Sequence, residues 1–151
     1  FRYTQHTNCQ FAYTRYAAKV YNTALASKNA PQSSAGAAPE LSTCLFLRLG
    51  DAPLDTFCHL IYAASMPWHA QSDTSLVLIN RMGEKIAETK INIPCSGSLH
   101  WRYSEVFDEA TRQRAGNGGY IIIRDLTCRL FGYHGTVNGD TAFCMDHMFG
   151  F

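Results

Sequence analysis

The residues with the most chemical potential in this chain lie close to its C-terminal end. The run Leu130-Phe-Gly-Tyr-His-Gly-Thr-Val-Asn-Gly-Asp-Thr-Ala-Phe-Cys-Met-Asp-His-Met-Phe-Gly-Phe holds His134, Cys144, Asp146 and His147 among five aromatic side chains. Imidazole, thiolate and carboxylate are the usual ligands of zinc and copper, so His134 and His147 are the candidate metal ligands. Nucleophilic catalysis would instead need a thiol beside a base, and Cys128 with His147 is the pair to test. Cys58 and His59 are sequence neighbours, which in a strand point to opposite faces and cannot form a dyad.

Strand geometry constrains both ideas. Asn138-Gly139 is the strongest hairpin signal in the chain, and a two-residue type I′ turn there would pair Val137 with Asp140. His134 would then face Phe143, and Leu130 would face His147. The two histidines share a face in that register but stand four residues apart, about 13 Å at the usual rise of a strand. Asp146 and Cys144 fall on the other face, with Arg129 and Asp146 as diagonal neighbours suited to an ion pair. A metal would need further ligands from His59, His69 or His100. The expectation is therefore no cofactor, with zinc or copper at His134 and His147 as the alternative.

Other motifs are absent. Cys9, Cys44, Cys58, Cys95, Cys128 and Cys144 contain no C-x-x-C, which disfavours a zinc ribbon, a thioredoxin-like motif or haem attachment. Buried thiols and one or more disulfides both remain open. Gly116-Asn117-Gly118-Gly119 lacks the Lys-Ser/Thr of a phosphate loop and follows a helical pattern instead of preceding one. Glu84, Glu88, Glu105, Asp108 and Glu109 read as turn or helix-start residues, and no nucleophile-elbow sequence occurs. Enzymatic activity is thus disfavoured.

Aromatic residues give a stronger lead. Trp68, the segment His100-Trp101-Arg102-Tyr103, and Tyr133 combine flat side chains with a cation, as protein interfaces and planar-ligand sites do. Filling a small β core competes for the same residues.

The elements that would position these residues follow from periodicity. Residues 1–41 form an N-terminal arm: residues 8–21 fit helix or strand equally, and residues 24–41 are small and polar with two prolines. Residues 42–151 form the folded domain. Leu45, Leu47 and Leu49 alternate with Cys44, Phe46 and Arg48. Phe57 to Met66 is a second strand, stopped by Pro67. Thr74 to Asn80 is apolar on both faces, as in a central strand, and Arg81-Met82-Gly83-Glu84 turns the chain. Ala87, Thr89, Ile91 and Ile93 face away from Glu88, Lys90 and Asn92, and Pro94 ends that strand. Leu99 to Tyr103 is a short strand. Ser104 reads as the N-cap of one short helix, with acids early and Arg112 and Arg114 late. Tyr120 to Asp125 and Cys128 to Val137 are further strands.

Seven or eight short strands with one helix predict an antiparallel β-sandwich, immunoglobulin-like or jelly-roll-like, with an extended N-terminal arm. The order from about Ser75 to Gly150 carries four markers: the Asn80-x-x-Gly83 turn, Pro94 after an alternating strand, Ser104-Glu-x-Phe107, and the Gly119-Tyr120 strand opening. In layout it resembles bacterial immunoglobulin-like sandwich modules, a resemblance that implies fold and no catalytic residues.

Composition sets the outer limits. The 151 residues are 46% hydrophobic and only 17% charged, with a formal net charge of +1, so nucleic acid and anionic membranes lack an electrostatic footprint. No apolar run approaches the roughly 18 residues of a membrane-spanning helix. The chain begins at Phe1, which leaves the compartment open, with export to the periplasm or cell exterior preferred. The resulting expectation is a non-catalytic binding or accessory subunit. It would dock on a protein partner, or on another copy of itself, through aromatic loops and the arm; the alternative is a small metal-dependent enzyme or carrier with a His/Cys/Asp site near the C-terminal hairpin.

Overall fold

The computed structural model describes residues 42–63 and 69–148. The N-terminal arm, Trp68, the Pro67 strand stop and residues 149–151 lie outside the described residues. Eight strands and two short helices follow in chain order: β1 (Thr43–Arg48), β2 (Asp55–Ile61), β3 (Thr74–Ile79), β4 (Lys85–Ile91), β5 (Ser98–Arg102), α1 (Tyr103–Val106), α2 (Glu109–Ala115), β6 (Tyr120–Asp125), β7 (Phe131–Asn138) and β8 (Ala142–His147). They form two antiparallel four-stranded sheets, β1-β6-β3-β4 and β5-β2-β7-β8. β2 pairs with β5 in one sheet and β3 with β6 in the other, the pairings that B–E and C–F make in an immunoglobulin-type sandwich. The flanks differ from that scheme. The first strand lies beside β6, and β7 lies beside β2.

Alternation in the sequence becomes the two sides of the core. Leu45, Leu47, Leu76, Leu78, Ile121 and Ile123 point inward from the first sheet, against Cys58, Leu60, Trp101, Leu130 and Met148 from the other side. Most of these side chains are fully buried, each contributing about 1.5–3 kcal/mol of transfer free energy. β3 is central, as its apolar faces require, and the exposed positions of edge strand β4 carry Lys85, Glu88 and Lys90. Gly83 takes φ 84° in the β3–β4 turn. There the Asn80 Oδ1 accepts the amides of Met82 and Glu84, each at 2.9 Å.

The single expected helix is two. Asp108, not Ser104, caps the longer one, its Oδ1 accepting the Thr111 amide at 2.7 Å. Ser104 lies within α1 and donates its hydroxyl to Asp55 Oδ2 at 2.6 Å, tying that turn to the start of β2. Gly116, at φ 63°, ends α2.

One polar knot joins the two sheets. Asp125, 1% exposed at the end of β6, accepts hydrogen bonds from the Thr127 amide and hydroxyl (both 2.6 Å) and the Cys128 amide (3.0 Å). Its other oxygen accepts the Thr74 hydroxyl of β3 at 2.7 Å. Thr43 of β1 completes the crossover, donating to the Cys128 carbonyl at 2.8 Å and accepting the Leu130 amide at 2.7 Å. The chain passes here from the first sheet into β7. Burial alone would raise the Asp125 pKa, but these donors outweigh it and hold the carboxyl below the usual value.

Asp125→Ala would strand the Thr74, Thr127 and Cys128 donors in the core, and we expect a loss of about 3 kcal/mol, with more if both Thr127 donors stay dry. Because the folded pKa lies below the unfolded one, the carboxylate stabilises the fold above the unfolded pKa, near 3.9, and this contribution fades as pH falls through the folded value. Urea unfolding of wild type and variant at pH 7 and pH 3 should therefore give a smaller difference at the lower pH.

Candidate functional site

The hairpin register decides which side chains meet. β7 pairs with β8 as Asn138↔Ala142, Val137↔Phe143, Thr136↔Cys144, Gly135↔Met145, His134↔Asp146 and Tyr133↔His147. The expected two-residue turn is instead a loop of Gly139, Asp140 and Thr141. The Asn138 carbonyl accepts both the amide (3.1 Å) and the hydroxyl (2.7 Å) of Thr141, and this double bond stabilises the longer loop. Val137 thus faces Phe143 where Asp140 was expected. A shift of three residues is odd, so every β8 side chain changes face.

This overturns the register-based expectations. His134 and His147 lie on opposite faces of the hairpin and cannot share a metal. Asp146 sits opposite His134 instead of on the far face beside Arg129. Cys128 precedes β7 as a buried core residue, away from the strand position that would have set it near His147. Among the described residues, no three His, Cys, Asp or Glu side chains come together to hold a metal ion, and no disulfide forms.

On the outer face of the second sheet, the registers line up rows across all four strands. One row is Arg102–Phe57–Gly135–Met145, and the next is His100–His59–Tyr133–His147, with Val137–Phe143 beyond them. Phe57 stacks on His100 at 5.9 Å between ring centres and lies across Gly135, where a Cβ would stand 2.8 Å from its ring. The row therefore needs glycine. Phe143 and Met145 are 74% and 55% exposed, and Phe57, His100, Arg102, Val137, Asp140 and Phe143 line a cleft of about 450 Å³.

The aromatic candidates from sequence divide accordingly. His100, Arg102 and Tyr133 occupy this outer face. Trp101 pairs with Cys58 on the inner face and is buried, and Tyr103 packs against the core from α1. Phe57, Phe143 and Met145 were not singled out from sequence. Membership of Phe143 and Met145 depends on the loop length, which the Asn-Gly signal alone does not give, whereas Phe57 is placed by alternation with buried Thr56 and Cys58 in β2.

The inner face of the same hairpin projects past the core. His134 and Asp146 form one row, Thr136 and Cys144 the next, and with Arg48 and Asp51 these side chains border a second cleft of about 580 Å³. The Thr136 hydroxyl lies 3.1 Å from the exposed Cys144 sulfur, and hydrogen bonding by that hydroxyl and the Thr136 amide holds the thiol below its ordinary pKa. Burial lowers the His134 pKa, partly opposed by the Asp146 charge. Core thiols behave oppositely: burial pushes Cys58 up, and burial with the Asp125 charge pushes Cys128 up to about 12.

No protein-family model and no curated protein matches the chain. A solved structure, that of Thermotoga maritima 1070, is similar over 75% of this chain and 96% of its own, at 10% sequence identity and a TM-score of 0.49.

Among the described cysteines, Cys144 should be the first alkylated by iodoacetamide at pH 7.5, with Cys58 and Cys128 labelled only on unfolding. Thr136→Val should slow the Cys144 reaction several-fold, as peptide mass mapping of a time course would show.

Proposed function

We propose that this chain is a non-catalytic binding or accessory subunit whose β-sandwich docks on a protein partner through the outer face of the β5-β2-β7-β8 sheet and the adjoining edge of β8. The observation that carries this reading is the exposure of Phe143 and Met145 in line with Phe57, Tyr133 and Arg102. Aromatic residues, Met and Arg are the types enriched where proteins bury their contacts. The contrast with the other sheet supports it. There the outer surface exposes Phe46 but also carries Lys85, Glu88, Lys90 and Asp73, joined in two ion pairs that suit water.

β8 has no strand neighbour on its far side among the described residues, and its first four residues, Ala142 to Met145, contain neither Lys nor Pro to block pairing. An edge beside an apolar row is the arrangement used in strand addition, where the backbone supplies affinity and alternate side chains supply selectivity. Burying Phe143 and Met145 would contribute about 1.5–3 kcal/mol each.

The protein isolated from the cells that make it should show, by light scattering under reducing conditions, a mass above that of the same chain unfolded in denaturant. Phe143→Asp should return it to the single-chain mass while leaving the near-ultraviolet circular dichroism unchanged. A wild-type protein that runs at its single-chain mass would refute the proposal.

A further inference from the structure

We infer that the partner at this edge is a second copy of the chain, paired β8 to β8 in antiparallel fashion about a twofold axis through Cys144, with the two Cys144 thiols placed to form a disulfide. The inference rests on the docking face proposed above and adds its occupant, register and redox chemistry.

Hydrogen-bond alternation selects the register. The Met148 amide donates to the Gly132 carbonyl at 2.7 Å, so the Gly132–Met148 row is a hydrogen-bonded one. Rows alternate in an antiparallel pair, and the backbone groups of Phe143, Met145 and His147 therefore point to the open edge of β8. At His147 the edge is already closed, because its amide donates to Asp146 Oδ1 at 2.8 Å. Phe143 and Met145 remain as the groups available to another strand.

A twofold pairing that uses only those two residues sets Phe143 of each copy opposite Met145 of the other, in two hydrogen-bonded rows. Each aromatic ring then meets a thioether, a favourable contact. The register centred on Met145 would require the His147 amide that Asp146 occupies, and it would set the Asp146 carboxylate against the second copy's Cys144. In the chosen register Asp146 faces Ala142 instead, and no like charges meet.

Cys144 falls at the centre, in a non-hydrogen-bonded row. Opposed Cα atoms in such a row stand about 4.5 Å apart, within the roughly 4.4–6.8 Å that a disulfide spans. Both side chains point to the same face, the open inner side of the hairpin. Oxidation needs a disulfide co-reactant such as oxidised glutathione. The thiolate of one Cys144 attacks it and expels one glutathione thiolate; the second copy's Cys144, as thiolate, then attacks the mixed disulfide and expels the other. Two protein thiols are oxidised and one glutathione disulfide is reduced to two thiols, with the protein protons passing to solvent or to the leaving thiolates.

The 151-residue chain should run at twice 16.9 kDa by light scattering under reductant. Incubation with oxidised glutathione should convert it to a covalent dimer in which mass mapping finds the Cys144–Cys144 link. Cys144→Ser should keep the non-covalent dimer and lose the link. Met145→Lys should weaken dimerisation roughly 100-fold, the equivalent of about 3 kcal/mol. A dimer that oxidation leaves unlinked, or links through other cysteines, overturns the register. A complex with a different protein, without self-association, overturns this inference while leaving the docking face standing. A single-chain mass throughout overturns both.

Discussion

A carboxylate buried at one end of an apolar sandwich is the constraint on which the other features depend. Asp125 ends β6, and the amides that follow it turn back onto its oxygens, so the chain leaves the first sheet at a fixed angle. Thr74 and Thr43 bring β3 and β1 to the same point, and Ser72, 2.8 Å from the Thr74 hydroxyl, accepts the Ile93 amide. A buried acid is costly unless its donors are in place, and here four of them come from two segments of chain, Thr74 in β3 and Thr127–Cys128. A misplaced crossover would leave the charge unpaired, so the knot favours one arrangement of the sheets. Everything beyond Cys128, including the hairpin that carries the candidate site, starts from this point.

Two glycines then fit β7 to the side chains on either face of its sheet. Gly132 leaves space on the inner face for Met148, whose sulfur would lie 2.7 Å from any Cβ there. Gly135 does the same on the outer face for the Phe57 ring. Met148 lies one residue past β8, so its burial beside Cys58 anchors the far end of the hairpin, while the Thr141 bonds set the near end. Between these anchors β8 is exposed on both faces. Cys144 and Asp146 on its inner face therefore meet solvent instead of core.

The fold was legible because period-two alternation reports burial directly. Leu45 and Leu47 in β1 with Leu49 just past its end, and the two apolar faces of β3, could hardly lie elsewhere in a two-sheet protein. The site was less legible. Asn138-Gly139 announces a hairpin, but loop length depends on whether Thr141 bonds back to Asn138, a choice between close energies that residue types do not decide. That choice flips β8 and separates His134 from His147. Trp101 shows the other difficulty: flanked by His100 and Arg102, it belongs to the opposite side of the sheet, because a strand divides any run of candidate binders between its faces. The helix boundary moved for a similar reason. Ser104 and Asp108 are both good caps, and Asp55 had claimed the serine.

The edges of the two sheets are protected unequally, and the difference bears on what β8 is for. β4 carries lysines and a glutamate at its exposed positions, charges that oppose pairing with another strand. On β8, Asp146 closes the edge at His147, while Phe143 and Met145 stay open with their side chains in water. Protecting one end of a strand limits the registers that a partner can take; leaving the other end apolar supplies a reason to bind. Cys144 sits within the open stretch, with a thiol kept more acidic by Thr136, while the thiols of Cys58 and Cys128 are buried and raised. Selective exposure of a more acidic sulfur on an edge with restricted pairing is hard to account for by stability, since the sandwich core gains nothing from it. It fits an edge whose association is coupled to the oxidation state of one cysteine.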